Sequence, residues 1–289
     1  MHFSVIIPYY KNSDTLAQTL DSVLRQTTPG SVEILVVDDG SDDGARIGSG
    51  TSGHEIAFHR LPHVGMTPNF NRAVSMARCE LIHLLNADDY VLPGFYKTVA
   101  TYADRYPDRA IYATQTVSVD ENDRLLWLPT SIAEWAIGPG GRIFTPLHLG
   151  NPLYTPAVVI RRSFYQKFGL YDTRLNYACD WEMFARATVK GGGLAIPEAL
   201  AVYRHGTANQ TSMRKRTGEN MRDIARVGQI TSAYMQVDEP RFREWLTKNT
   251  LTQVRAFEKS GDHFAAAANR QVAEELSNWT TRQPLPLAA

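Results

Sequence analysis

Along the first third of the chain, apolar positions switch between two periods. Residues 3–7 form a nearly unbroken apolar run, the pattern of a strand buried on both faces. Leu16, Leu20, Val23 and Leu24 follow at helical spacing after a cap expected at Ser13 or Asp14, and residues 34–37 are a second buried-strand run. Together they predict a βαβ unit. The next unit repeats the scheme. Thr67 is expected to cap, Pro68 to take the first helical position, and Phe70, Ala73, Val74 and Ala77 to share one face before a strand over residues 81–85. His83, inside that strand, reads as a core histidine. A helix is expected after Pro93 to about Tyr106, then a strand over residues 111–116, a hairpin turn at Glu121-Asn122-Asp123 and a return strand over residues 125–128. Trp181, Phe184, Ala185 and Thr188 again give helical spacing. Past Ser212 the pattern is wholly helical, with Met221, Ile224, Ala225, Val227 and Ile230, then from Phe242 through Leu276 before a proline-rich end. The predicted organisation is an α/β domain over residues 1–212 and a helical appendage over residues 213–289.

Composition narrows the class. The chain has 289 residues, 43% hydrophobic and 21% charged, with 30 basic and 30 acidic side chains. That is enough for a sizeable core, and the charge balance carries no footprint of nucleic-acid binding. Cys79 and Cys179 are too few for a disulfide framework and read as buried small hydrophobes in a reducing cytosol. The chain enters its first strand directly, and no run approaches the roughly 18 apolar residues of a membrane span. A cytoplasmic protein is predicted, with peripheral contact at the inner face of the membrane left open. The basic stretch at residues 213–216 reads as a solvated helix surface. The sequons at Asn209 and Asn278 read as chance without a secretory signal.

The chemistry sits where strands end. PYY follows the first run, DDGSDD the second and NADD the third, and CDWE comes later. Carboxylates at the ends of buried strands are costly unless they meet a cation or a hydrogen-bond donor. In a doubly wound sheet, ligands bind beyond the carboxyl ends of the strands. Pro8, Asp39 and Asp88 all fall there, which predicts one shared site. The competing reading, helix caps, suits Ser41 or Asp42 better than the paired Asp88 and Asp89. No GxGxxG follows the first strand and no GxxxxGK[ST] occurs, so backbone amides alone are not expected to bind a phosphate. A metal ion held by the acids is the remaining simple way to neutralise a diphosphate.

The segments VIIPYYKNSDTLAQTLDSVLRQT, EILVVDDGSDD, VGMTPNFNRAVSMARCELIHLLNADDYVLP and FGLYDTRLNYACDWEMFAR resemble, in order and spacing, the inverting family 2 glycosyltransferases. The resemblance covers about residues 3–212. It implies the GT-A fold, a Rossmann-like, mostly parallel sheet flanked by helices, and a nucleotide-sugar donor, most commonly a UDP-sugar. Pro8 and Tyr9 match the turn lining the base pocket. Asp39 matches the acid of the family's VDDGS segment that bonds the base or ribose, supported by Asp38. Asn86, Ala87 and Asp88 match the DxD motif, whose first acid faces ribose and whose last holds Mg²⁺ or Mn²⁺. Asn86 departs from that pattern and removes one negative charge. Asp89 reads equally as a partner of Asp88 or a helix cap.

Asn69-Phe70-Asn71-Arg72 stands where many relatives carry AARNxG and resembles an NWN-type subgroup instead. Phe70 is then a core residue, and Arg72 either reaches the donor diphosphate or lies solvated on its helix. Asp180 matches the aspartate of the family's ED motif, the implied catalytic base, with Cys179 where glutamate is common. A helix cap is the other reading of Asp180, and Glu182 either orients the site or faces water. Arg204-His205 resembles the YRxH segment, one residue shorter. Its histidine is implied to approach the metal or diphosphate, or else it is a surface residue. Gly150-Asn151-Pro152 and Thr155-Pro156 sit where relatives close over the acceptor, or form an ordinary loop. The resemblance thus implies inverting, metal-assisted transfer to a saccharide, lipid-linked or small-molecule hydroxyl, with self-association left open. Two rivals are a nucleotidyltransferase, whose early GxGxR-like loop is missing here, and a non-catalytic nucleotide-sugar binding protein, which Asn86 keeps open.

Overall fold

Strand pairing follows the apolar runs. In the computed structural model, which describes residues 3–28, 30–44, 55–127, 141–143, 149–206 and 210–281, β1 (Phe3–Tyr9) lies between β2 (Val32–Asp38) and β4 (Leu81–Leu84), parallel to both. Helix α1 (Ser13–Leu24) makes the expected crossover and buries Leu16, Leu20 and Val23. The second unit is not a simple repeat. An edge strand, β3 (Glu55–Arg60), pairs parallel with β2 before α2 (Met66–Met76) begins. Its alternating EIAFHR composition gives a weaker signal than the continuous runs.

The turn after β4 leads to a two-residue strand β5 (Tyr90–Val91) and then α3 (Phe95–Arg105). Strand β6 (Ile111–Val119) forms the expected hairpin with β7 (Leu125–Trp127). The turn between them places Asp123 at φ 61; position 128 lies outside the described residues. A 3-10 turn over Thr155–Ala157 opens β8 (Val158–Arg161), followed by α4 (Arg162–Phe168), α5 (Cys179–Gly191) and β9 (Gly193–Arg204). The sheet order is β3-β2-β1-β4-β8-β6-β9-β5, with β7 paired to β6. β8 is antiparallel to β4 and β6, β9 runs parallel to β6, and β5 is antiparallel to β9. The chain therefore leaves β4 near the middle of the sheet and re-enters it at the far edge.

The alternation of β1 assigns the two faces. Phe3, Val5, Ile7 and Tyr9 pack with α1 and α3, whereas Ile6 joins the core formed by α2, α5 and the later helices. Phe70 is in that second core, edge-to-face with Tyr171. His83 is fully buried between the Tyr96 hydroxyl and the Pro156 carbonyl, each at 3.0 Å. Burial lowers its pKa to about 4.

Two expected caps are corrected. α2 starts at Met66, and the Thr67 hydroxyl donates to the Leu175 carbonyl at 2.6 Å rather than capping. The loop before this helix is fixed by Asp39, as described below. α1 has Asn12 at its N-cap with no side-chain bond, so Ser13 and Asp14 do not cap it; the Ser41 hydroxyl accepts the Lys11 N–H at 2.9 Å.

After β9 come α6 (Gln210–Thr217), α7 (Glu219–Thr231), α8 (Glu239–Ser260) and α9 (His263–Ser277). Gly261, at φ 76, ends α8, and Asp262 caps α9 through the Ala265 N–H. Asn209 and the proline-rich end lie outside the described residues, and among those described no helix is long and apolar enough to cross a membrane. Met221, Ile224, Ala225, Val227 and Ile230 of α7 share a core with Cys179, Trp181 and Phe184 of α5. The packing of α7 against α8 and Trp279 needs a glycine. A Cβ at Gly228 would lie 2.4 Å from the fully buried Phe242 ring and 2.8 Å from Trp279. Gly228→Ala is expected to lower stability by about 1–3 kcal/mol through overpacking, read as a lower urea midpoint at unchanged slope.

Candidate active site

At the end of β2 two adjacent aspartates do different work. Asp38 is fully buried, accepting the Ser41 N–H at 2.9 Å and pairing with Arg60 at 2.7 Å. It shapes the turn. Asp39 accepts the Val64 and Gly65 N–H groups at 2.8 and 2.9 Å, and His63 Nδ1 approaches the same carboxylate at 2.8 Å. Arg72 donates to the Pro62 carbonyl at 2.7 Å and stands 3.8 Å from Asp39. Asp39 thus ties the end of β2 to the start of α2, and a carboxylate with about four acceptor sites keeps capacity for a further donor. Gly40 is required here: it has φ +77, and a Cβ would meet the His63 nitrogen at 3.0 Å.

Pro8 is partly buried and paired with Val37 across the strands. Tyr9 turns its ring into the core and donates its hydroxyl to Asp43. The open ring at this strand end is Tyr10, 40% exposed, with the His63 ring 4.8 Å away. Tyr10 and His63 therefore stand beside Asp39 as an exposed aromatic pair, which the sequence reading did not single out.

The turn after β4 is pinned from three directions. The Ala87 carbonyl accepts the hydroxyls of Thr15 and Thr19 at 2.7 and 2.9 Å, and Asn86 Nδ2 donates to Asp89 at 3.2 Å. Asp89 is buried and caps no helix; it accepts the Arg204 N–H at 2.9 Å. The Arg204 guanidinium reaches the Asp88 carbonyl at 2.9 Å, Gln18 at 2.6 Å and Asp123 at 2.9 Å. Burial raises the Asp88 carboxyl above its usual range while the Arg204 charge opposes the rise. Asp89 is raised well above, by burial first and then by the charge of Asp88. His205, next along, donates its N–H to Val119 at 2.9 Å, and its ring lies 4.7 Å from both Trp127 and Tyr203. Its Nε2 is buried without a hydrogen-bond partner.

Asp180 opens α5. Its carboxylate accepts the Trp181 N–H at 2.7 Å and the Thr155 hydroxyl at 3.3 Å, and burial raises its pKa from 3.8 to about 6. Glu182 neither faces water nor reaches the strand ends. It is fully buried, paired with Arg186 at 2.9 Å and bonded by the Tyr234 hydroxyl at 3.0 Å. Three tyrosines, Tyr171, Tyr177 and Tyr203, are close enough to feel the Asp180 charge. Tyr154 and Tyr203 have ring centroids 4.9 Å apart. Burial and then the charge of Asp180 raise Tyr177 to about 12. The Tyr203 phenol is raised by burial and also by Asp89, Asp88 and Asp180, so one side chain senses the acids of the β4 turn and the acid of α5.

The sheet thus gathers Pro8, Tyr10, Asp39, Asn86, Asp88, Asp180 and His205 at one end of its strands. Sequence reasoning missed Thr155 as an Asp180 contact, the tyrosine trio and the central place of Arg204. Among the described residues no group of three or more His, Cys, Asp or Glu side chains is arranged to hold a metal.

Comparison with known proteins gives the family and the fold. The chain is 27% identical over 241 residues to an uncharacterized protein of Mycobacterium tuberculosis strain CDC 1551, covering 78% of this chain and 73% of that one. It is 27% identical over 209 residues to the PGL/p-HBAD biosynthesis glycosyltransferase of Mycobacterium bovis strain BCG, covering 70% and 73%. Among solved structures, residues 1–349 of S. aureus TarS superpose with a TM-score of 0.63 at 19% identity, covering 96% and 82%. That protein was also solved with UDP-GlcNAc. The mannosyltransferase PcManGT of Pyrobaculum calidifontis, solved with GDP-Man and Mn²⁺, superposes at 0.55 with 15% identity, covering 94% and 75%. The chain spans 44% of a longer TarS chain and 58% of further mycobacterial relatives. Residues 4–169 match the model of glycosyl transferase family 2, and the chain belongs to that family, a glycosyltransferase of GT-A fold.

Proposed function

We propose that this enzyme moves a sugar from a nucleoside-diphosphate sugar, a UDP-sugar first, to an acceptor hydroxyl in a single displacement that inverts the anomeric carbon. The observation that carries the reading is Asp180: a buried carboxyl with a pKa of about 6 in a site shared with the strand-end acids. A general base is most effective with a pKa near the working pH. The acceptor oxygen attacks the anomeric carbon as its proton passes to the Asp180 carboxylate. The bond from that carbon to the diphosphate oxygen breaks, and its electron pair leaves with the nucleotide. Thr155 holds one Asp180 oxygen, which leaves the other directed by the Trp181 N–H.

On the donor side, Pro8 and the Tyr10–His63 pair line the base slot, with Asp39 and its support Asp38 at its floor. Asn86 faces the ribose, Ala87 packs into the core behind it with its carbonyl held by Thr15 and Thr19, and Arg72 stands toward the diphosphate. The donor set fits Mg²⁺ or Mn²⁺. Arg204 pairs with Asp123 rather than with the Asp88 carboxylate, and His205 Nε2 has no partner. Such ions bind through one or two protein groups plus substrate phosphates and water rather than in a full protein cage, so Asp88 and His205 are the residues to hold one. When bound, the ion offsets charge on the leaving diphosphate. UDP-GlcNAc in TarS and GDP-Man with Mn²⁺ in PcManGT support this class of donor. The acceptor is a saccharide, lipid-linked or small-molecule hydroxyl, met in the cytoplasm or at the inner membrane face. Residues 1–212 carry the donor and catalytic groups, and the helices of residues 213–289 brace them.

Asp180→Asn keeps size and shape but cannot take a proton at neutral pH. Transfer is expected to fall at least about 10²-fold with donor affinity nearly unchanged, and the wild-type kcat/KM to rise with pH through about 6. An α-linked donor should give a β-linked product by NMR; retained configuration overturns the single displacement. Stability supplies a check that needs no substrate. The raised carboxyl favours folding below pH 3.8 and loses that contribution as pH rises through about 6. Its replacement by Asn should therefore raise the free energy of unfolding at pH 8 but not at pH 4, by up to about 3 kcal/mol.

For the donor side, Asp88→Ala should abolish the increment that Mn²⁺ adds to UDP affinity in calorimetric titrations. Asp39→Ala should weaken uridine and UDP alike. Full metal-dependent binding by the Asp88 variant removes it as the ion's ligand.

A further inference from the structure

The start of α5 is held from another part of the chain. Its N-cap, Ala178, offers no side-chain bond, so the N–H groups there need an outside acceptor. Asp223 of α7 supplies it. Fully buried, it accepts the Tyr177 N–H at 2.6 Å and the Ala178 N–H at 3.1 Å on Oδ2, while Arg226 donates to Oδ1 at 3.0 Å. Asp180 follows two residues after Ala178.

We propose that Asp223 is a positioning residue for sugar transfer, fixing from the C-terminal helices the start of α5 and with it the direction of the Asp180 carboxylate. This rests on the reading of Asp180 as the base. A position that served packing alone would carry an apolar side chain, since a buried carboxylate costs several kcal/mol to desolvate. Ile224 and Val227, its neighbours on α7, are such side chains. The placement also has an electrical consequence. Asp180 accepts from the Trp181 N–H and the Thr155 hydroxyl, which lower its pKa; burial is the largest cause raising it, and the Asp223 charge adds to that rise. The other titratable groups facing Asp180 are the thiol of Cys179 and the phenols of Tyr171, Tyr177 and Tyr203. Asp223 is the carboxylate among them.

The test uses the full chain labelled with ¹³C at aspartate carboxyls, the Asp180 signal being the one lost in Asp180→Asn. In Asp223→Asn the amide oxygen still accepts both N–H groups, so the Tyr177 and Ala178 amides should stay protected from exchange while the Asp180 midpoint falls below its wild-type value of about 6. In Asp223→Ala that protection should be lost. An unchanged midpoint in the asparagine variant, or full amide protection in the alanine variant, overturns the proposal. If the alanine variant does not fold, the asparagine titration decides alone. Normal transfer by Asp180→Asn would sink the base assignment instead, and leaves the titration readable.

Discussion

Arg204 joins the Thr15 and Thr19 hydroxyls in holding the β4 turn together, and it supplies the cation there. That turn places two adjacent carboxyl groups, Asp88 and Asp89, in a buried setting that raises both above their usual range. Like charges at such a site cannot both ionise without compensation. Arg204 meets the turn through a backbone N–H to Asp89 and a side-chain bond to the Asp88 carbonyl. β9 can deliver it because its last residues pair with β6 on one side while β5 returns to pair with Val202 and Ala201 on the other. Removing that cation would leave buried carboxyls uncompensated, a loss usually worth more than the pair itself contributed.

From that anchor the two halves of the chemistry separate in space. The ends of β1, β2 and β4 present an exposed aromatic pair, a carboxylate fixed by backbone amides and an acid, Asp88, without an ion-pair partner among the described residues. α5 presents the opposed acid, buried and poised near neutral pH. Tyr203, one residue before Arg204, is raised by burial and then by the charges of Asp89, Asp88 and Asp180, so the strand that holds the turn also carries a side chain within reach of both. The C-terminal helices are not merely attached to this arrangement. α7 shares the core of α5, and its buried aspartate receives the Tyr177 and Ala178 N–H groups that lead into Asp180.

What the sequence made legible was local. Continuous apolar runs marked β1, β2 and β4, and the acids following the second and third of them, with Pro8-Tyr9 after the first, pointed to the candidate site. The helical stripe from Trp181 to Thr188 placed Asp180 at a helix start. What it hid was determined by distance along the chain. Arg204 meets Gln18, Asp88, Asp89 and Asp123, none of them near it in sequence, and Asp223 meets backbone groups 45 and 46 positions upstream. Residue type misled at Thr67, which lies inside the first turn of α2 and spends its hydroxyl on the Leu175 carbonyl. Strand alternation was available at Tyr9 and Tyr10: the period of two that buries Phe3, Val5 and Ile7 also buries Tyr9.

The central claim is that the strand-end acids and Asp180 form one site, with the donor diphosphate between them. It is tested most directly by diffraction at the manganese edge from crystals grown with UDP and Mn²⁺. The account predicts an anomalous peak about 2.1 Å from an Asp88 oxygen, bridging to the diphosphate, with the base beside Tyr10 and Asp39 and the β-phosphate facing Asp180. A nucleotide bound away from these strand ends, or a manganese peak that does not touch Asp88, would contradict it.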